Sequence, residues 1–257
     1  MSALLEKVRQ LNQLVQKSAE ATDDYSPMAE TVSTLTASNA YLVGPDGIVR
    51  GHHYAEEPDC ERIALDEEAK LSSGFQQKLA FLFQPATNIP LEGCIFHEAD
   101  CKCRGRVMTV IPIHSGGERL GSLLLTRKKE NFTDDDLVLA EVGATIIGMA
   151  ILRHRAERSE ADARQKANVQ IALDSLSFSE MEAINNVFEE LGGMEGFLVA
   201  SKVADRIGIT RSVIVNAMRK LESAGVVESR SLGMKGTYIR VQNRFFLDEL
   251  TKRNRAK

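Results

Sequence analysis

The residues best suited to chemistry fall within 197–225. Ala204 is small enough for two helices to approach closely, Gly208 four residues later supplies a tight turn, and Ile214 packs a second helix back onto the first. That spacing predicts a helix-turn-helix. Thr210 is expected to cap the second helix, and Gly225 stands where a helix end needs positive φ. If Ile214, Ala217, Met218 and Leu221 form the buried stripe, then Arg211, Ser212, Val215, Asn216 and Arg219 share the opposite face. Arginine and asparagine match base edges with paired donors and acceptors, and arginine and serine reach phosphates, so this face suits a DNA major groove. Ser201, Lys202 and Thr210 complete the helical part of the expected contact set.

Downstream, β-rich runs at 226–229 and 237–241 flank Arg230-Ser-Leu-Gly-Met-Lys-Gly236, a hairpin with two glycines and two cations at its tip. Gly233 and Gly236 let backbone amides come close to phosphate, and Arg230 and Lys235 add charge. A winged helix-turn-helix accounts for the whole stretch. Some winged helices serve protein contacts only, which is the alternative use.

Other residues offer other chemistry. Cys94, His97, Cys101 and Cys103 form a C-x2-H-x3-C-x-C cluster that could close a tetrahedral soft-metal site, with His53 or Cys60 nearby. The spacing matches no common zinc module, and reduced thiols beside a ligand pocket are the alternative. A redox role would draw on Lys102 and Arg104, which lower thiol pKa. Gly116-Gly-Glu-Arg-Leu-Gly-Ser122 has the glycine spacing of a phosphate loop, yet it lacks the lysine and joins two strands, so it reads as a hairpin turn. With no nucleophile beside a positioned base and no phosphate lysine with a metal-binding acid, the chain does not read as an enzyme.

The elements that must position these residues follow from composition and periodicity. A chain of 257 residues, 43% hydrophobic and 26% charged, is an ordinary globular sequence of two domains. Its net charge of -4 is unevenly spread: 199–257 holds 13 Lys+Arg against 5 Asp+Glu, leaving 19 against 31 elsewhere. A basic block inside an acidic protein suits a nucleic-acid-binding module, although a basic tail alone supplies half the excess. No apolar run approaches the roughly 20 residues of a membrane span, and the N-terminus meets Glu6, Lys7 and Arg9 too early for a secretory signal. A cytoplasmic location with four reduced cysteines and no membrane partner is therefore expected.

Apolar positions at Leu4, Leu5, Val8, Leu11, Leu14 and Val15 predict an amphipathic first helix. Two hairpins follow, one turning at 44–47 and one at 115–118, with helical segments at about 60–84 between them. Thr133 and Asp134 to Asp136 open a long helix with the stripe Leu137, Ala140, Ala144, Ile147 and Ile151. It becomes a charged rod over 155–166; two helices broken near Ser159 are the alternative. Ser177 and Glu180 form a capping box for the next helix. The fold class is α+β, with a sensor-type domain first.

Ala200-Ser-Lys-Val-Ala-Asp-Arg-Ile-Gly-Ile-Thr-Arg-Ser-Val-Ile-Val-Asn-Ala-Met-Arg-Lys-Leu-Glu-Ser-Ala-Gly225, continuing to Tyr238, resembles the DNA-binding module of the CodY family of global transcriptional repressors nearly residue for residue. The likeness extends through Phe132–Ala140 and Ser175–Glu180 and weakens between about 20 and 105. It implies a GAF-like ligand-sensing domain with an antiparallel sheet (1–153), a helical linker (154–172) and a winged helix-turn-helix (173–257). It further implies a homodimer or higher homo-oligomer on double-stranded DNA. Its implied effectors are branched-chain amino acids, chiefly isoleucine, with GTP as a further one, and no cofactor or metal. Residue by residue, Arg62 matches the family's carboxylate-binding arginine, and Ile63, Leu65, Leu71 and Phe75 match its pocket walls. Cys94, Phe96, His97 and Glu98 lie in the loop matching the one whose backbone holds the ligand's amino group. Here His97 stands where the family has proline, and Cys94 where a small polar residue is common. Without the resemblance, Arg62 reads as a surface helix arginine. The alternative function is a metal- or thiol-responsive regulator using Cys94, His97, Cys101 and Cys103.

Overall fold

A computed structural model describes residues 3–17, 24–60, 69–97, 105–128, 130–233 and 236–255. The chain divides into two compact units, Met1–Glu157 and Arg158–Lys257.

In the first unit, five strands form an antiparallel sheet of order β2-β1-β5-β4-β3. They are β1 (Asn39–Val43), β2 (Val49–His53), β3 (Ala86–Pro90), β4 (Arg106–Ser115) and β5 (Glu118–Lys128). The run Leu123-Leu124-Leu125 is buried throughout, so both faces of the sheet are covered. Because side chains alternate, each of the central strands β1, β4 and β5 serves two cores. Ala40, Leu42, Ile111, Ile113, Leu123 and Leu125 face one cluster with α1 (Ala3–Lys17), α2 (Ser26–Thr36) and the first part of α4 (Asp134–Asp174). Gly143 lets α4 approach closely: a Cβ there would lie 2.9 Å from Val32 Cγ2. Tyr41, Val43, Met108, Val110 and Leu124 face a second cluster with Leu71, Ile95 and Phe96. This face is covered by α3 (Ser73–Ala80) and by the segments around it.

The second unit packs one core from Val169 and Leu173 of α4, α5 (Phe178–Leu191), α6 (Ala200–Ile207), α7 (Arg211–Ser223) and α8 (Phe246–Arg255). A three-stranded sheet of order β6-β8-β7 completes it, from β6 (Glu195–Leu198), β7 (Val227–Ser231) and β8 (Thr237–Val241). Phe188 and Phe246 meet edge to face at 4.8 Å.

Both expected hairpins form, and the 116–122 glycines lie in the β4–β5 turn and the start of β5. The Ser177–Glu180 capping box is reciprocal. The long helix runs 41 residues as one element, as the main reading has it, without the alternative break near Ser159. Two expectations need correction. Described helix between the hairpins is confined to α3, because Ser72 caps its start and Phe81 ends it; 61–68 lie outside the described residues. Thr210 occupies the N-cap position of α7 without a side-chain cap, its hydroxyl being turned to Ser212 Oγ at 2.8 Å. Elements α2, β3, β6 and α8 carry no strong periodicity of their own and were not anticipated.

Candidate functional sites

In the second unit, α6 and α7 are joined through Gly208, whose φ of 71° is the left-handed conformation a non-glycine residue rarely adopts. Val203 and Ala204 of α6, and Ile214, Ala217, Met218 and Leu221 of α7, are all buried. Each of the larger side chains contributes about 1.5 to 3 kcal/mol by leaving water. That burial fixes which way α7 faces. Arg211, Ser212, Asn216 and Arg219 are exposed and Val215 is half-buried, so the five expected contact residues share the outer face. Ser201, Lys202 and Thr210 are exposed as well.

The cations of this unit divide into two sets. Arg206 pairs with Glu190 at 2.8 Å, Arg253 with Asp174 at 2.7 Å, Arg244 with Asp162, and Lys220 with Glu180 at 2.7 Å. Lys202, Arg211 and Arg219 pair with no described carboxylate. They all lie on the helix-turn-helix. Arg219 also borders a groove of about 400 Å³ between α7 and the end of α4, lined by Ile171, Ala172, Ser175 and Ser223.

The wing is held by a strand that sequence reasoning missed. β6 pairs with β8 over Glu195↔Arg240 to Leu198↔Thr237. Gly236 is required there, since a Cβ would sit 2.5 Å from the Leu198 carbonyl oxygen and its φ is 98°. Arg230 is exposed but engaged: its Nε and Nη2 donate to Glu228 Oε1 at 2.9 and 2.7 Å. The guanidinium holds the Glu228 carboxyl below its ordinary range. Lys235 lies outside the described residues.

In the first unit, the candidate ligand residues meet on the second face of the sheet. Leu71 and Phe96 are buried, and Phe75, Cys94 and His97 are half-buried. Two backbone bonds assemble them: Leu71 N donates to Gly47 O at 2.9 Å, and Ser72 N donates to Ile95 O at 2.9 Å. The first strands α3 to the β1–β2 turn, and the second straps it to the loop bearing Phe96. Arg62, Ile63, Leu65 and Glu98 lie outside the described residues, as do Cys101 and Cys103. Among the described residues no group of three or more His, Cys, Asp or Glu side chains is placed to hold a metal ion.

Beside these residues runs a buried polar network that local sequence did not reveal. Asp59 is central. Its Oδ2 accepts from the Tyr41 hydroxyl, from Thr126 Oγ1 at 2.6 Å and from Asn39 Nδ2 at 3.4 Å, and its Oδ1 lies 2.9 Å from Arg106 Nε. Arg106 also reaches Glu56 at 3.3 Å and donates to the Glu57 carbonyl at 2.6 Å. Burial, with the Asp59 charge, raises the Tyr41 pKa. The neighbouring Tyr54 hydroxyl is pushed up to about 12, chiefly by burial. Tyr41 lies inside an apolar strand and Asp59 eighteen residues on, so only the folded sheet joins them.

A family model described as the CodY GAF-like domain matches residues 3–175, and one described as the CodY helix-turn-helix domain matches residues 194–254. The global transcriptional regulator CodY of Clostridium perfringens (strain SM101 / Type A) is 47% identical over 258 residues, covering 98% of this chain and 99% of the relative. That of Clostridium botulinum (strain Okra / Type B1) is 46% identical over 256 residues, with the same coverage. Among solved structures, the cofactor binding GAF domain of the nutrient sensor CodY from Clostridium difficile is similar at 30% identity and TM-score 0.43. That match covers 59% of this chain and 99% of the other.

Proposed function

The chain belongs to the CodY family of global transcriptional regulators, and on that premise we propose that it represses transcription by binding double-stranded DNA under the control of a small amino-acid effector. The observation that carries the DNA-binding part is the outer face of α7, where Arg211 and Arg219 flank Ser212 and Asn216 and pair with no carboxylate among the described residues. Cations left unpaired on an exposed helix gain most by displacing the counterions of DNA. Arg211, Ser212, Val215, Asn216 and Arg219 of α7 enter the major groove, while Ser201, Lys202 and the wing, with Arg230 and Lys235, hold backbone phosphates. In this reading the protein acts in the cytoplasm as a homodimer or higher homo-oligomer, presenting two winged helices to two half-sites. Residues 1–153 form the sensor, 154–172 the linker and 173–257 the DNA-binding domain.

For the effector, isoleucine or another branched-chain amino acid needs a cation for its carboxylate and an apolar wall for its side chain. Arg62 supplies the cation; Ile63, Leu65, Leu71, Phe75 and Phe96 supply the wall, with Cys94, His97 and Glu98 alongside the amino group. GTP is a further effector in this reading, with no residues assigned to it. Leaving a desolvated carboxylate unpaired costs several kcal/mol, whereas burying a butyl side chain gains only about 2 to 3. The charge therefore decides, and Arg62→Ala should abolish isoleucine binding in calorimetry while sparing basal DNA affinity. Fluorescence anisotropy of a labelled operator duplex tests the coupling. Isoleucine should change the affinity by roughly 5- to 150-fold, and an unchanged affinity would refute amino-acid control.

A further inference from the structure

The reading helix α7 carries a carboxylate where phosphate binding disfavours one. Glu222 lies eleven residues after Arg211 and seven after Val215, so the helical repeat returns it to the stripe that those side chains share. A negative charge at the end of that row repels the DNA backbone. Glu222 pairs with no cation among the described residues that would cancel it. Its bonds give it another task. Glu222 Oε1 accepts from Ser229 N at 2.8 Å and from the Ser229 hydroxyl. Ser229 is the middle residue of β7, which pairs with β8 on one side and has no strand on the other. The free edge of the wing sheet is thus met by an acceptor that the reading helix itself supplies.

Ala224, Gly225 and Val226 separate α7 from β7, and Gly225, with φ 67°, makes the turn. A turn sets where the chain reverses; bonds across it set the angle between the two elements. Glu222 and Ser229 are both half-buried, and charge-assisted bonds to a carboxylate are the stronger kind. While β6 registers the wing from its far edge, Glu222 fixes the near edge to the last turn of α7. We propose that Glu222 is a positioning residue for DNA binding: by holding β7 against α7 it presents the wing, with Arg230 next to Ser229, to phosphate while the outer face of α7 lies in the major groove. The inference rests on the reading of α7 and the wing as the DNA-binding surface. It goes beyond that reading by giving an acidic residue a part that its charge opposes.

Charge and position predict opposite signs, so affinity decides between them. Glutamine keeps the acceptor oxygen and loses the charge; alanine loses both. Full-length wild type, Glu222→Gln and Glu222→Ala are titrated against a labelled operator duplex by anisotropy, with the melting temperature of each recorded. Glu222→Gln should bind as tightly as wild type or more so. Glu222→Ala should bind about tenfold more weakly and lower the slope of log affinity against log salt by about one. Arg230→Ala adds a readout that lost stability alone would not move. It should weaken wild type by about threefold or more but Glu222→Ala by less than about twofold, because the wing has already left the backbone. Undiminished affinity in Glu222→Ala would overturn the proposal and leave Glu222 a repelling surface charge, and additive losses in the double variant would overturn it too. Should Glu222→Ala not fold, Ser229→Ala removes one of the two donors and should weaken binding in the same direction; unchanged affinity there would overturn the proposal. Arg230→Ala without effect on wild type would overturn the wing's part in the DNA-binding reading, and this inference with it. A wild type that binds no duplex would overturn that reading as a whole.

Discussion

Arg106 and Arg127 of the first unit and Arg211 and Arg219 of the second are put to opposite uses. In the first unit Arg106 is only 4% exposed and spends its guanidinium on Asp59, Glu56 and the Glu57 carbonyl. Arg127 is treated alike. It donates to the Thr36 and Glu130 carbonyls at 3.2 and 3.1 Å, pairs with Asp136 at 3.0 Å and lies 4.3 Å from the centre of the Phe132 ring. On α7, by contrast, Arg211 and Arg219 are exposed and pair with no carboxylate among the described residues. A charge neutralised inside the fold adds to architecture and little to recruitment, whereas an unpaired one is a standing attraction for phosphate. In this reading the basic character of the C-terminal end recruits DNA most strongly where the fold leaves it uncommitted.

The comparison can be broken most forcefully at Arg106. Arg106→Ala strands the Asp59 carboxylate in the interior, so urea denaturation should show a loss of about 3 to 5 kcal/mol. A loss under 1 kcal/mol would mean that the network is solvated. Next comes Asn216→Ala, expected to cost about 1 to 3 kcal/mol at the cognate site with less discrimination among sequences and an unaltered melting temperature. A uniform loss across sequences would move Asn216 from bases to backbone. Lys202→Ala should weaken specific and random duplexes alike and reduce the slope of log affinity against log salt by about one; an unchanged slope would take Lys202 off the phosphates.

The smallest effect tests a committed pair in the second unit. The Lys220 ammonium, bonded to Glu180, holds that carboxyl below the ordinary carboxylate range, aided by Ser177. A carboxyl depressed in the folded state stabilises fully above its unfolded pKa and loses that contribution as pH falls through the folded value. Wild type should therefore lose slightly more stability than Glu180→Gln on acidification below about pH 4.3. The glutamine keeps the capping box and the Lys220 end of the pair is 41% exposed, so the difference should stay within about 1 kcal/mol. Parallel acid titrations would show that the pair is idle.

The two units also differ in how far their chemistry could be read from the chain. The α7 face was legible because a helix repeats every 3.6 residues, so the burial of Ile214, Met218 and Leu221 dictates where Arg211 and Asn216 point. The wing was legible as a hairpin, but β6, which registers it, is four residues with one buried side chain and a glycine, too little for a period-2 pattern to show. The family resemblance supplied Leu71, Phe75, Cys94, Phe96 and His97 as candidate pocket residues, and the fold brings Leu71, Phe75, Cys94 and Phe96 to one face. Nothing local could supply Tyr41–Asp59–Arg106 or the packing of Tyr54 and Phe96 each against Tyr41. Those contacts span three strands and a loop, and exist only after the sheet has formed.

The account stands or falls on the uncommitted arginines of α7. The most direct measurement is an anisotropy titration of an operator duplex with wild type and with Arg211→Ala/Arg219→Ala, the melting temperature of each being recorded. The two side chains lie eight residues, or about 12 Å, apart along the helix, far enough for their contributions to add. At about 1 to 3 kcal/mol each, the double variant should bind at least about 30-fold more weakly with the fold intact. Equal affinity in a folded variant would show that DNA is held elsewhere and contradict the assignment of α7 as the reading helix.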